Sequence, residues 1–260
     1  MSSHHEHNAV IREQFGKQAE GYARLMRDSP NPLLPKLVDA VKPTAGDRVL
    51  DVGCGPGRLS LTLAELTGHV TGIDLTPEML AQAKAQQAER GIENVEWLQG
   101  DILPMPFENE KFTLVVTQAT FHHFADPAAV LKEMIRVCAT GGRIVVIDLT
   151  PDPLKVESFD AMEKLRDPSH VHAWPAADLR KLGAAAGLEE LAFHQYGTEM
   201  PIEAVLASSA VPDPGVLDKL RALYRADATS GENKIGMSLR EQNGEVFATY
   251  PMTMAAWRRQ

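Results

Sequence analysis

Short apolar runs and longer stretches of helical spacing follow one another along the chain. Val49, Leu50 and Val52 make a run suited to a strand buried on both faces. Leu59, Leu61, Leu63 and Leu66 then read as a helix over residues 59–67. Further strands are predicted at Val70–Asp74, Val95–Gln99, Phe112–Thr117 and Arg143–Leu149. Thr76-Pro77-Glu78 starts a helix with an N-cap threonine, proline at N1 and an acid in the first turn. That helix runs to Arg90 and stops at Gly91. Asp126-Pro127 opens another in the same way, ending near Cys138. Before the first strand, Val10, Ile11, Phe15, Ala19, Tyr22, Ala23 and Met26 mark a helix from Asn8 to Met26. A second helical stretch after Pro35 stops before Pro43. After residue 150 a helix is expected at Asp178–Ala186 and a sixth strand at Leu188–Tyr196. A helical insertion follows from Met200 to Asp227, broken at Pro212 and Pro214, and the last strand is expected at Glu245–Met252.

Composition narrows the class. A chain of 260 residues with 44% apolar content fits one α/β domain, or a domain with a small appendage. A net charge of −9 is poorly suited to gripping a nucleic-acid backbone, so no nucleic-acid partner is expected. No apolar run approaches the ~20 residues of a membrane helix. The start of the chain lacks a signal-peptide pattern. Cys54 and Cys138 have neither metal-ligand nor disulfide spacing, so a reducing cytoplasm and no metal are expected. His4, His5 and His7 are expected to be a solvated tail.

Candidate chemistry concentrates behind the first strand, in R-V-L-D-V-G-C-G-P-G from Arg48 to Gly57. Gly53, Gly55 and Gly57, with Cys54 among them, let the backbone turn sharply and a ligand approach closely. A dinucleotide fingerprint reads G-x-G-x-x-G. Here the third glycine comes one residue early, and Arg58 stands where that fingerprint needs glycine. Asp74 ends the second strand, 23 residues beyond Asp51. A carboxylate there can accept hydrogen bonds from both hydroxyls of a ribose. Gln118 follows the fourth strand, at the sheet edge where α/β folds bind ligands.

The pattern D-x-G-x-G-x-G resembles motif I of the class I S-adenosylmethionine (SAM) methyltransferases. The likeness continues through G-D-I at Gly100–Ile102, L-P-M-P-F-E-N-E-K-F at Leu103–Phe112, A-T-F-H-H-F-A-D-P at Ala119–Pro127 and G-G-R-I-V-V-I-D at Gly141–Asp148. It covers about Arg48 to Thr150 and is nearest in pattern to methylases related to the ubiquinone and menaquinone C-methyltransferases. The resemblance implies a Rossmann-like, doubly wound α/β sheet of seven mostly parallel strands with an antiparallel last strand. It implies a single domain over 1–260: an N-terminal helical cover (1–45), a SAM-binding core (46–150) and a C-terminal half (151–260) with a helical lid insertion at about 198–242. It implies SAM as cofactor, with the turn from Asp51 to Gly57 near the methionine moiety and Asp74 on the ribose. Leu75 and Met79 would flank ribose and adenine, Asp101 would accept from the adenine amino group, and Ile102 would cover the ring. A leading Phe…Ala…Tyr pattern, matched by Phe15, Ala19 and Tyr22, would lie over the cofactor; packing of that helix on the sheet edge is the alternative. Met200, Leu206, Leu217, Leu220 and Tyr224 either line a lid or form ordinary amphipathic packing.

A sulfonium makes its methyl group electrophilic without acid catalysis, so the enzyme must align the acceptor and exclude water. His122 and His123 are the candidate bases, since neutral histidine accepts a proton near pH 7. An Arg-Asn pair holds this place in the quinone methylases, which counts against quinone-type chemistry. His122 is the one expected to face the acceptor; local packing and capping is the alternative for the pair. The function implied is methyl transfer to an O, N or C nucleophile of a small molecule. The alternatives are a SAM-fold protein that binds SAM or its product without transfer, and an NAD-dependent oxidoreductase, which Arg58 disfavours.

Overall fold

A computed structural model describes residues 2–29, 32–211 and 213–260, with side chains from His4 onward. The expected break at Pro212 lies outside the described residues.

The strands are β1 (Arg48–Val52), β2 (His69–Asp74), β3 (Val95–Gln99), β4 (Phe112–Gln118), β5 (Cys138–Leu149), β6 (Glu189–Pro201), β7 (Arg240–Gln242) and β8 (Glu245–Arg258). They form one sheet in the order β3-β2-β1-β4-β5-β8-β6, with β7 paired to β8. β1 to β5 pair in parallel, and β8 runs antiparallel to both β5 and β6. The mostly parallel sheet with an antiparallel last strand is therefore present. The eighth strand, β7, is an addition to the expected seven. It is made by the turn Asn243-Gly244, where both residues take positive φ (53° and 81°) and fold β7 back on β8. Asn-Gly is the strongest short hairpin signal in a sequence.

The central strands are apolar on both faces because helices cover both. Val49, Leu114, Val116, Val145 and Ile147 face one layer, with Leu59, Leu61 and Leu63 from α3 (Arg58–Ala64). Leu50, Val115, Ile144 and Val146 face the other, with Val130, Leu131 and Met134 from α5 (Pro127–Val137). Alternate residues of one run thus enter opposite cores. This layering brings the C-terminal ends of β1, β2, β3 and β4 to a single edge.

Three further elements shape that edge. The first helix, α1, spans Ser2–Asp28 and includes the three N-terminal histidines; His4 and His7 are half-buried, which corrects the expected solvated tail, while His5 is exposed as expected. The physical reason is tertiary: His4, His7 and Asn8 find hydrogen-bond partners on the sheet side of the site. A helix the spacing did not mark, α6 (Val156–Arg166), follows β5. The expected insertion comprises α8 (Ile202–Ala207) and α9 (Pro214–Ser230). Leu206, Leu220 and Tyr224 are buried in the larger core, while Met200 reaches a cavity.

Candidate functional site

A cavity of about 520 Å³ lies over the C-terminal ends of the first four strands, roofed by α1. Of the predicted cofactor residues, Tyr22, Asp51, Gly53, Cys54, Gly55, Asp74, Leu75, Met79, Asp101, Ile102 and Gln118 all line it. Gly57 does not. A Cβ at Gly57 would lie 2.6 Å from the Trp97 ring, and φ there is +83°, so that glycine serves close packing beneath the turn. Gly53 and Gly55 also hold positive φ. Cys54 is buried and its thiol pushed well up by burial, which removes it as a nucleophile.

The acids are arranged by their own hydrogen bonds. Asp74 accepts from Gly55 N through Oδ2 and from Thr76 N through Oδ1, both at 2.8 Å, so it clamps the glycine turn to the start of α4 (Pro77–Arg90). Thr76 holds the N-cap position, but its side chain makes no cap bond; Asp74 instead accepts from the Thr76 N–H just ahead of the helix. Ser60 donates to Asp51 Oδ2 at 2.6 Å. Burial, reinforced by nearby Asp74, raises Asp51 to about 7 and Asp74 above its ordinary value. Neither acid has a cationic partner among the described residues. Asp101 accepts from His4 Nε2 (3.0 Å) and Asn8 Nδ2 (2.7 Å), so the roof helix is tied to the carboxylate expected to read adenine.

A smaller cavity of about 110 Å³ adjoins the first, and Phe15, Tyr22, Arg58, Gln118 and His123 line both. The two predicted base candidates part here. His122 lines only the smaller cavity; His123 lines both. His122 Nδ1 donates to Asp148 Oδ1 at 2.6 Å. Asp148, the penultimate residue of β5, also accepts from the backbone N–H groups of Thr120, Phe121 and Leu149 at 3.0, 2.6 and 2.6 Å. Burial alone would raise Asp148, but His122 and these N–H donors hold it below the usual carboxylate range. Burial alone would lower His122, yet Asp148 outweighs it and its affinity for a proton is raised. His123 is brought down to about 3 by burial and by the neighbouring His122, so it is neutral at physiological pH. Its Nδ1 donates to Ser169 O at 3.0 Å, its carbonyl accepts from His7 Nε2 at 2.7 Å, and the Phe15 ring meets it edge-on at 5.0 Å.

Sequence reasoning missed Asp148, although it sits in the quoted G-G-R-I-V-V-I-D motif. It missed His4, His7 and Asn8 in the roof. It also missed Glu163 and Arg166, which α6 brings into the smaller cavity. The helical spacing of Phe159 and Met162 was the available signal for α6. Among the described residues no group of three His, Cys, Asp or Glu side chains could hold a metal ion, and no helix is long and apolar enough to cross a membrane.

This sheet order, with the glycine turn and the row of strand-end acids, is the class I methyltransferase fold. The chain belongs to the methyltransferase-domain family, whose model matches residues 43–195. The uncharacterized methyltransferase YcgJ of Bacillus subtilis (strain 168) is 32% identical over 159 residues, 60% of this chain and 63% of that protein. Demethylmenaquinone methyltransferase of Thermus thermophilus is 39% identical over 120 residues, 45% of this chain and 54% of that enzyme. The matches thus span about half to under two thirds of these relatives. The YcgJ crystal structure shares the fold, with TM-score 0.75 and 22% identity over 87% of this chain and 97% of its own. The BH2331 structure from Bacillus halodurans also has TM-score 0.75, with 28% identity over 87% of this chain and 98% of its own.

Proposed function

We propose that the protein transfers a methyl group from SAM to a proton-bearing nucleophile of a small molecule, with cofactor in the larger cavity and acceptor in the smaller. One observation carries this reading: Asp51, buried, and Asp74, half-buried, both without cationic partners among the described residues, face the same cavity as Asp101. Buried carboxylates left unpaired are costly. A net cationic ligand such as SAM matches them, whereas the diphosphate of NAD would add negative charge beside Asp51 and Asp74. Under this assignment Asp74 takes the ribose hydroxyls and Asp101 the adenine amino group. Ile102, Leu75 and Met79 flank the ring and ribose. The backbone of Gly53, Cys54 and Gly55 meets the methionine moiety, and Gln118 and Tyr22 stand where the two cavities join.

When bound, the cofactor supplies a methyl carbon electrophilic enough to need no acid. The work left to the chain is alignment, exclusion of water and removal of one proton. Alignment contributes up to ~7–11 kcal/mol in favourable systems. Phe15 and Tyr22 from α1 close the junction from above. Because Nδ1–H of His122 is committed to Asp148, Nε2 carries the lone pair and acts as the base. Asp148 is the positioning residue that fixes this tautomer and stabilises the imidazolium once the proton arrives. His123, neutral throughout, is wall rather than base.

The test is calorimetric titration with SAM and, separately, with NAD, followed by transfer of labelled methyl to a panel of small nucleophiles. SAM is expected to bind and NAD not to. NAD binding alone sinks the cofactor assignment. SAM binding with no transfer to any nucleophile would make the protein a SAM binder instead.

A further inference from the structure

Arg58 follows the last glycine of the turn and lines both cavities. Its Nη2 donates to Ser29 O at 2.7 Å. It forms no ion pair among the described residues; besides burial, the phenols of Tyr22 and Tyr196, which line the smaller cavity with it, are the ionisable groups that act on its charge. The other charged groups of the smaller cavity are mostly paired, although Arg166 Nε has no hydrogen-bond partner among the described residues. Arg166 donates to Glu163 at 2.5 Å, and Asp167 accepts from Ser169 N at 2.9 Å. A half-buried guanidinium without a counter-ion, facing a cavity, is a ready partner for a carboxylate.

Size and wall chemistry narrow the ligand further. An apolar cavity of ~150 Å³ takes up benzene. At about 110 Å³ the smaller cavity is below that, so one ring with small substituents would fill it and extend into the space it shares with its larger neighbour beside Phe15, Tyr22 and Gln118. Its walls include Phe15, Tyr22, Tyr196 and Tyr250, with Phe15 and Tyr22 set edge to face at 6.1 Å. Flat aromatic walls favour a flat ring.

We infer that the methyl acceptor is a single-ring aromatic acid, its carboxylate paired with Arg58 and its hydroxyl or amine presented to His122. This rests on the proposed cofactor assignment. In the transfer, the bond from the acceptor's oxygen or nitrogen to the methyl carbon forms as the donor's sulfur–carbon bond breaks. That bond's electron pair returns to sulfur, and the acceptor's proton passes to His122 Nε2.

The experiment is calorimetry on the full chain saturated with S-adenosylhomocysteine, using the three hydroxybenzoates, each against its neutral amide. At least one acid is expected to bind about tenfold or more tighter than its amide, the scale of a charge-assisted pair. Arg58→Gln should abolish that preference while leaving the amide within about twofold; Arg58→Lys should keep part of it. No preference for any acid in the unmutated protein overturns the inference. So does loss of acid and amide alike in both variants, which would make Arg58 structural. A third result that overturns it is Arg58→Gln weakening S-adenosylhomocysteine but not 5′-methylthioadenosine, because Arg58 would then hold the cofactor's own carboxylate. Failure of S-adenosylhomocysteine to bind at all sinks the cofactor assignment itself, which separates the two failures.

Discussion

The two cavities share a wall but are built differently. The larger is made mostly of strand ends and the turns that follow them, with Asp51 and Gly53 at the end of β1, Asp74 and Leu75 at the end of β2, and Asp101 and Ile102 after β3. Each group of its residues is local in sequence, and the parallel sheet aligns the groups. The smaller is assembled across the chain. Phe15 comes from α1, His122 and His123 from the turn after β4, Glu163 and Arg166 from α6, Tyr196 from β6 and Tyr250 from β8. The first arrangement is suited to a fixed ligand, because one sheet and one glycine turn hold it. The second can change its occupant through substitutions in several unrelated elements without disturbing the sheet.

The contrast predicts a hierarchy of effects. Asp74→Ala should be the most severe. It frees two part-buried backbone N–H groups, of Gly55 and Thr76, and removes the proposed ribose acceptor. At ~1–3 kcal/mol per lost partner, SAM affinity should fall a hundredfold or more. Calorimetry showing affinity within a few-fold of the unmutated protein would break the assignment. Asp148→Asn comes next, and it should spare the larger cavity. SAM affinity is expected to stay within about twofold, while methyl transfer falls ~10²-fold or more, the usual scale of general-base assistance. The check that separates charge from mere structure is the His122 titration by NMR. His122 should release its proton above its ordinary value in the unmutated protein and at clearly lower pH in Asp148→Asn. An unmoved titration would leave Asp148 a purely structural clamp on Thr120, Phe121 and Leu149.

What could be read from the sequence divides along the same line. The convergence of the strand-end acids and of Gly53 and Gly55 on one cavity was legible because it depends on spacing within one β-turn-α unit. Gly57 was misassigned because spacing alone does not tell a glycine that faces a ligand from one pressed against Trp97. His122 was legible as a candidate, but its partner Asp148 lies 26 residues on and is brought to it by the β4–β5 pairing. The roof was read as a tail in its first residues because His4 and His7 carry no apolar signal; their partners, Asp101 and the His123 carbonyl, lie 97 and 116 residues away. α6 carries a modest helical pattern whose importance appears only once Glu163 and Arg166 reach the cavity.

A third, smaller effect is a pH dependence confined to the larger cavity. With Asp51 at about 7 in the free protein, a cationic ligand that needs the carboxylate should bind about tenfold more weakly at pH 6 than at pH 8. Asp51→Asn should flatten that slope. The same shift acts on stability with a definite sign. The folded state holds a proton that the unfolded chain, with its ordinary carboxylate, gives up near pH 4. This group therefore makes the ligand-free protein less stable as pH rises from about 4 to about 7, and SAM should recover the loss. Equal SAM affinity at pH 6 and 8 would mean that Asp51 does not meet positive charge.

The weakest effect should come from the roof, and it is the most direct test of whether α1 covers the site or belongs to it. His7 touches the His123 carbonyl but none of the strand-end acids. His7→Ala removes one hydrogen bond worth ~1 kcal/mol, so SAM affinity should fall no more than about fivefold, with the change in the dissociation rate. Stopped-flow release of SAM would read it. A loss approaching that of Asp74→Ala would mean that α1 is as much part of the ligand site as the sheet edge. The division between a sheet-built cavity and a surround assembled from across the chain would then fail. A small change confined to the off-rate would give α1 the role its contacts suggest: a helix that closes over a ligand already held by β1, β2 and β3.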